Sequence, residues 1–315
     1  MFTRAFTGAL AAVALLVAGA PVAANAEPAA PQAANERPNA PPVTDGAPRG
    51  RGRLSGGPSP AQTLAQAQAV ATAANATCEL TGAIVRGKLE RANVFEATCA
   101  TGPGLILIAS TPPQAIDCVV LAGQADITRA ANPAADVGLQ CTIPANLDVT
   151  KVVAEYAKTA GVACTVDQGA SVGRSSGGNI IYEAGCAGVD GYWLEKTPTG
   201  WTITECQKVV TTNGKCRFTT PAEQAATLKK WFEGSAASAC DVAQARYMGS
   251  NANGSFYEAK CAAGDGLIAR FDTAMAVQQV YPCAEAQRIG GGCTLTGAPA
   301  PAAAPAPAAA PATQQ

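Results

Sequence analysis

The sequence predicts an α+β protein of three tandem modules, each with one α-helix packed on a four-stranded antiparallel β-meander and two disulfides. The first observation is a phrase that occurs three times: FEATCATGPGLI at 95–106, YEAGCAGVDGYW at 182–193 and YEAKCAAGDGLI at 257–268. The second is that twelve cysteines fall into three sets of four, with the phrase always around the second cysteine of its set. The third is a helix start signal ahead of each set. Self-similarity of this kind indicates a repeated structural unit.

The cysteines predict a disulfide framework. An even number of cysteines without histidine or C-x-x-C pairs favours disulfides over zinc. In an antiparallel hairpin the start of one strand lies beside the end of the next, so we expect the first cysteine of each set to pair with the second, and the third with the fourth. Spacing alone leaves three pairings per module open. The sets are Cys78, Cys99, Cys118 and Cys141; Cys164, Cys186, Cys206 and Cys216; and Cys240, Cys261, Cys283 and Cys293.

Each module is predicted to open with a helix. The segments SPAQ, IPAN and TPAE place Pro60, Pro144 and Pro221 at the first helical position, where the missing N–H has no helical partner to lose. In module 2, apolar residues between Val149 and Tyr156 recur with a helical period and form one stripe. We therefore expect one amphipathic helix before the first cysteine of each set.

Four strands follow each helix, and the second strand carries the repeated phrase. Its alternation directs the aromatic residue, the alanine and the cysteine to one face and the glutamate to the other. We expect the aromatic face to meet the helix. The glutamates are expected on the outward face, in solvent or paired with Arg and Lys across strands; they are Glu96, Glu183 and Glu258.

Two further features bear on the strands. Asp190-Gly191 and Asp265-Gly266 are typical of tight turns between the second and third strands. The apolar run LILI at 105–108 indicates a strand covered on both faces, by its own helix and by a second element, for which module 2 is a candidate.

Composition shifts divide the chain of 315 residues. The amino end has a basic residue, a short apolar run and a small-x-small site, which is typical of a secretory signal peptide. The predicted organisation is a signal peptide at 1–26, a disordered linker at 27–59, module 1 at 60–143, module 2 at 144–219, module 3 at 220–297 and a disordered Ala/Pro tail at 298–315.

Charge and residue types narrow the function classes. Lys and Arg number 22 and Asp and Glu 23, so no strong field favours nucleic acid, and no partner of that class is expected. The sequence has no histidine, which removes the usual proton shuttle near neutral pH. GRSSG at 173–177 matches a nucleophile-elbow pattern but falls in a hairpin loop, so Ser175 is interpreted as a loop serine. We expect no catalytic residues, no metal and no cofactor.

The best binding candidates are aromatic. Tyr192, Trp193 and Trp201 gather in the third and fourth strands of module 2, with Lys196 beside them. Adjacent residues of a strand point to opposite faces, so one of Tyr192 and Trp193 is expected on the exposed face, where aromatic rings mark interfaces. The alternative is that all these rings lie in the core.

The layout of one helix and four strands in tandem is similar to that of secreted β-lactamase inhibitory proteins; the likeness is of layout and transfers no residue. The hypothesis that follows from the residues is a periplasmic or secreted, non-catalytic binding module of the bacterial cell envelope, with a protein or glycan partner and no membrane span. The alternatives are an inhibitor of an extracytoplasmic enzyme, delivered by a loop such as 173–179, and an Asp/Glu-dependent hydrolase with paired carboxylates in a cleft between modules.

Overall fold

The computed structural model describes residues 57–296. It contains three separate four-stranded antiparallel sheets, each with its strands in chain order, six disulfides and five α-helices. The predicted fold class, α+β with three tandem modules, is confirmed. The predicted signal peptide, the predicted tail and most of the predicted linker lie outside the described residues. Within the described part of the chain, no helix is both long and apolar enough to cross a bilayer.

Module 1 begins with helix α1, which a capping box starts: the Gln62 N–H donates to Ser59 Oγ, and the Ser59 N–H donates to Gln62 Oε1. A sheet and a second helix follow. The elements are α1 (Pro60–Ala73), β1 (Leu80–Leu89), β2 (Ala92–Cys99), β3 (Leu105–Ile108), β4 (Gln114–Asp117) and α2 (Cys118–Ala131).

In module 2 the helix begins later than predicted. Pro144 starts only a single 3₁₀ turn that ends at Asn146, and the α-helix starts after Asp148, whose carboxylate accepts the Lys151 N–H at 3.0 Å. The elements are α3 (Val149–Thr159), β5 (Val166–Arg174), β6 (Ile180–Cys186), β7 (Val189–Thr197), β8 (Gly200–Glu205) and the short α4 (Cys206–Val209).

Module 3 repeats the pattern, and Thr220 and Glu223 form a capping box at the start of its helix. Its elements are α5 (Pro221–Phe232), β9 (Val242–Asn251), β10 (Gly254–Cys261), β11 (Leu267–Phe271) and β12 (Val277–Pro282).

The expected turn at Asp190-Gly191 is wrong. Cys186 pairs with Val189, so the turn lies at Ala187-Gly188, and Asp190 is a buried residue of β7. The corresponding Asp265 does lie in the loop between β10 and β11. The difference is that β7 reaches three residues further toward the turn than β11 does, and helix α5 of the next module covers it there.

One core lies between each helix and its sheet, on the aromatic face of the phrase, as predicted. Phe95, Tyr182 and Tyr257 are each almost completely buried there. In module 3, Tyr257 makes edge-on contacts with Trp231 and Phe271. Such aromatic packing stabilises a small core beyond its burial of apolar area.

All cysteines of the described chain are paired, and the pairs are those expected from the hairpin argument. The first pair of each module ties β1, β5 or β9 to the end of the phrase strand, and the second closes the segment after the sheet. The pairs are Cys78–Cys99, Cys118–Cys141, Cys164–Cys186, Cys206–Cys216, Cys240–Cys261 and Cys283–Cys293.

Helices α2 and α4 are not predicted by the sequence reading, and α2 explains the LILI strand. Leu105 and Leu107 face α1, whereas Ile106 and Ile108 face the Cys118–Cys141 segment of the same module. The expectation that module 2 covers this face is therefore wrong. Helix α2 instead connects the modules, since its Val119 lies in the core of module 2.

Neighbouring modules are joined by a tyrosine and a carboxylate. Tyr182 Oη donates to Asp117 Oδ2 at 3.4 Å, and Tyr257 Oη donates to Glu205 Oε2 at 2.9 Å. Each carboxylate stands just before the third cysteine of the preceding module. Burial, and then the nearby carboxylate, raise the pKa of both tyrosines well above the ordinary value, so both hydroxyls remain donors.

The tyrosine is replaced in the first module, and the carboxylate is replaced in the last. Module 1 has Phe95 in place of the tyrosine, and module 3 has Pro282 in place of the carboxylate. The side chains that make the junction are therefore present where two modules meet within the described chain and replaced where they do not. Variation of this kind at terminal units is typical of repeat proteins.

Replacing Tyr257 by phenylalanine should destabilise the protein by about 1–2 kcal/mol, because it removes a hydrogen bond to a charged acceptor. Urea unfolding, with free energies compared at equal m-values, would measure this. Tyr182→Phe is the matched control, and it should cost less because its bond is longer. Equal stability of Tyr257→Phe and wild type would show that the bond contributes nothing to the junction.

Candidate functional site

The three repeated glutamates are buried, which corrects the expectation that they lie in solvent. Glu96, Glu183 and Glu258 each have 0% of their surface exposed. The strand alternation does place them on the face opposite the aromatic core, but that face is covered by the segment that the second disulfide closes. The strand alternation predicts the face on which each glutamate lies but does not show that this face is covered.

Each glutamate holds the chain just after the fourth cysteine of its module. One carboxylate oxygen accepts two consecutive backbone N–H groups at 2.5–2.8 Å. The donors are Thr142 and Ile143 for Glu96, Arg217 and Phe218 for Glu183, and Thr294 and Leu295 for Glu258. Because buried backbone donors need partners, this carboxylate fixes the return of the chain to the sheet.

The second carboxylate oxygen has a different partner in module 2. In modules 1 and 3 it accepts from an arginine on the neighbouring strand, Arg86 or Arg246, which confirms the predicted cross-strand pairing there. In module 2 no arginine occupies the place, and Trp193 Nε1 donates to Glu183 at 3.4 Å.

The pKa values of two of these carboxylates differ accordingly. Burial would raise the pKa of Glu96, but the N–H groups of Ile143 and Thr142 outweigh it and the pKa is lowered. Burial raises the pKa of Glu183, and the N–H groups of Phe218 and Arg217 offset only part of the effect. The side chains of Asn146 and Thr142 also donate to Glu96 and lower its pKa, whereas Trp193 is the one side-chain hydrogen-bond donor that lowers the pKa of Glu183.

A buried glutamate lies beside the second disulfide in every module, with its oxygen and both sulfurs within 4.8 Å of one another. The sulfurs are bonded to each other and so are not thiolates, which are the form of cysteine that binds metals. These clusters are therefore structural in the oxidised protein.

The structure separates the predicted aromatic candidates onto two faces. Tyr192, Lys196 and Trp201 are on the α3 side of the sheet, where Lys196 lies directly opposite Trp201 and its ammonium is 5.5 Å from the centre of the Tyr156 ring. Trp193 points to the other side, where it is half-buried. Binding by these four residues stays a prediction.

Trp193 also packs tightly within its own module. A Cβ added at Gly214 would overlap its ring, so glycine is the residue that lets the segment between Cys206 and Cys216 close over it. Trp193 stands opposite Glu183 in the sheet, as Ile106 stands opposite Glu96 and Ile268 opposite Glu258. Module 2 thus has a larger, half-buried side chain at the position where the other two modules have a fully buried isoleucine.

Ser175 of the GRSSG loop donates to Glu195 Oε1 at 2.6 Å, and Asn179 donates to the same oxygen at 2.8 Å. These bonds lower the pKa of Glu195. An ionised acceptor orders the hairpin loop but, at that lowered pKa, is a weak base for activating a serine hydroxyl. The geometry agrees with the interpretation of Ser175 as a loop serine.

Module 1 contains an apolar cleft of about 440 Å³ between the outer face of its sheet and the segment closed by Cys118–Cys141. Sheet residues Val94, Ile108 and Ile116 form its floor, and Leu121 and Leu139 form its far wall. The remaining lining residues are Arg86, Lys88, Leu89, Gln114 and Val137. The volume lies within the range of small-molecule sites.

A second, more polar cavity of about 450 Å³ adjoins the cleft and shares Leu89, Ile108 and Gln114 with it. It is bordered by the tip of the β1–β2 hairpin, with Glu90 and Arg91, and by hydroxyls after β3. The other lining residues are Ala92, Ala109, Ser110 and Thr111. Apolar and polar spaces therefore meet along one wall.

The corresponding space in module 3 is smaller. Met248, Phe256 and Ile289 line a cavity of about 220 Å³ between its sheet and the Cys283–Cys293 segment. The third and fourth cysteines are separated by 23 positions in the sequence of module 1 and by only 10 in module 3. The longer segment, with its full helix α2, is what makes room for the larger cleft.

A separate buried site lies at the junction of modules 2 and 3. Asp190 is 1% exposed; its N–H donates to Thr227 Oγ1 of α5 at 2.6 Å, and its Oδ2 accepts the Gln207 N–H at 3.1 Å. Asp190 Oδ1 and Gln207 Oε1 are buried without a hydrogen-bond partner within the described chain. Burial raises the pKa of Asp190 to about 7; the Gln207 N–H opposes this shift and the nearby Glu205 adds to it.

Sequence reasoning missed the cleft, the buried glutamates and the role of Asp190. A glutamate repeated three times between core-facing residues could have indicated burial, because a solvent-exposed position tolerates any polar residue. The cleft had no such signal, since its walls come from two segments far apart in the chain. Comparison with known proteins finds no match to a family model, a curated protein or a solved structure.

Proposed function

We propose that this protein is an extracytoplasmic, non-catalytic binding protein of the bacterial cell envelope, and that its ligand site is the module 1 cleft. The observation that carries the proposal is the apolar lining of a cleft of about 440 Å³ that stays open at the surface of a cross-linked scaffold. Clefts of this size with a few convergent polar groups are the usual place for a bound small molecule.

The scaffold around the cleft supports this role. The Cys118–Cys141 disulfide and the Glu96 carboxylate both fix the segment that forms the wall. A preformed site loses little conformational entropy on binding, so more of the contact energy appears as affinity. Two of the exposed large apolar side chains of the described residues, Leu89 and Leu139, line the cleft. Apolar surface that is left open next to a cleft is typical of a binding site.

The carboxylates offer less support for the hydrolase alternative. Such an enzyme needs two accessible carboxylic groups across one substrate site. Asp190 and Glu205 lie at the junction of modules 2 and 3, but Asp190 is buried beneath α5 and neither residue lines the module 1 cleft. The inhibitor alternative stays a prediction. The loop at 173–179 that would enter an enzyme cleft is ordered by its own hydrogen bonds.

The test uses the full chain with its disulfides intact and Nile red, a neutral dye that fluoresces in apolar sites. We expect saturable binding to wild type and at least about a tenfold loss of affinity in Leu139→Asp, because a charge in an apolar site must lose its hydration. Leu147→Asp is the matched control, at an exposed leucine (57%) outside the cleft. Equal binding by all three proteins, or no binding, would contradict the proposal.

A further inference from the structure

The cleft and the polar cavity beside it form one continuous site with two different ends. At the apolar end, the side chains of Val94, Ile116 and Leu121 are hydrocarbon and offer no hydrogen-bonding group. At the other end, two hydroxyl residues and the hairpin tip offer hydrogen-bonding groups. A ligand that fills both must itself have an apolar part and a polar part.

Charged side chains lie where the apolar cleft meets the polar cavity, and they decide which polar group of a ligand fits there. Lys88 lines the cleft and Arg91 lines the adjoining cavity. Neither lies within 4.0 Å of a carboxylate among residues 57–296, whereas Arg86 is neutralised by the buried Glu96. The one acidic residue of the lining is Glu90, so the free charge of the boundary is positive.

We propose that this site binds a single-chain carboxylate amphiphile, that is, a free fatty acid. Its alkyl chain lies on the cleft floor, and its carboxylate lies between Lys88 and Arg91. The inference rests on the proposed function and gives its ligand class. A single chain is favoured because the apolar space is about 440 Å³ and adjoins the polar cavity along its shared residues Leu89, Ile108 and Gln114.

The other two modules differ from module 1 in this region. In module 2 Trp193 packs on Gly214 of the Cys206–Cys216 segment, and in module 3 the corresponding cavity is about 220 Å³. Lys88 and Arg91 correspond to the hairpin of β5 and β6, where Arg174 is engaged with the Gly178 carbonyl instead. Only module 1, among the three described, combines the larger cleft with free positive charge.

The experiment measures binding of dodecanoate, dodecyl maltoside and dodecyltrimethylammonium to the full oxidised chain by isothermal titration calorimetry. Each amphiphile is kept below its micelle concentration, and the pH is about 8, where the carboxylate of dodecanoate is ionised. We expect one dodecanoate site, with affinity at least about tenfold above that for the other two head groups. Lys88→Glu and Arg91→Glu should each weaken dodecanoate about fivefold, and Lys151→Glu, on the exposed side of α3, should not.

A cavity-filling pair of variants separates this inference from the proposed function. Val137→Trp should abolish binding by occupying the cleft, whereas Val210→Trp, at an exposed valine of module 2, should not. Equal affinity for all three amphiphiles, together with loss of their binding in Val137→Trp, would overturn the fatty-acid assignment and keep the cleft as a binding site. No binding of any of the three amphiphiles, with no Nile red binding, would overturn both.

Discussion

Glu258→Ala is expected to destabilise the protein by about 3–5 kcal/mol, the usual cost of removing one partner from a buried ion pair. The change leaves the N–H groups of Thr294 and Leu295 without an acceptor and Arg246 without its counter-charge. The Cys283–Cys293 disulfide cannot compensate, because it fixes the loop before these residues and not the residues themselves.

Chemical unfolding monitored by tryptophan fluorescence would measure this loss, since Trp231 packs against Tyr257 in the core of module 3. Glu285→Ala is the matched control, an exposed acidic residue of the same module, and it should change the free energy of unfolding by less than about 0.5 kcal/mol. If the two variants were equally stable, the buried glutamate would have no anchoring role.

Asp190→Asn is expected to stabilise the protein at alkaline pH and to leave it nearly unchanged at acidic pH. The pKa of Asp190 is raised to about 7 in the folded protein from an ordinary value of 3.8. Well below pH 3.8 the carboxyl is protonated in both the folded and the unfolded protein and has no effect on stability. Between about pH 4 and about pH 7 the unfolded chain ionises while the folded protein keeps the proton, so stability falls progressively, and above about pH 7 the loss levels off at on the order of 4 kcal/mol.

An asparagine avoids this cost because it stays neutral. The carbonyl of the asparagine can still accept the Gln207 N–H. Its amide NH₂ group also supplies a hydrogen-bond donor, which the wild-type site lacks for Asp190 Oδ1 and Gln207 Oε1. Thermal unfolding from about pH 4 to about pH 8.5 should therefore show a difference between variant and wild type that grows with pH. Asp265→Asn, the exposed equivalent in module 3, should show little difference. A constant difference for Asp190→Asn across this range would disprove protonation of Asp190.

The fold was largely predictable because its signals are local and repeated. Three copies of a phrase fix the inward face of the second strand, and the cysteine spacing implies which strand ends meet. Helix α3 starts five residues after the predicted position because Pro144 is compatible with both a 3₁₀ turn and an α-helix, and the Asp148 cap decides between them. Helix α2 was missed because its apolar residues divide between two modules and form no single stripe.

The site was much less predictable, for a different physical reason. Whether Trp193 is exposed depends on Gly214, and whether Glu183 is buried depends on the N–H groups of Arg217 and Phe218. These partners are more than twenty residues away in the chain, and a strand pattern gives only the face on which a side chain lies. What covers that face is decided by tertiary packing. The cleft depends even more on packing, because it is the space that two segments leave between them.

The cysteines pair consecutively in chain order, first with second and third with fourth in each module, and no disulfide crosses another or joins two modules. For a chain that emerges amino end first into an oxidising compartment, each thiol therefore meets its correct partner before the next cysteine appears. Oxidation in order of emergence yields the native connectivity without a later exchange of partners. One module can be completed while the next is still being delivered, and the contacts between modules, which contain no covalent link, form last.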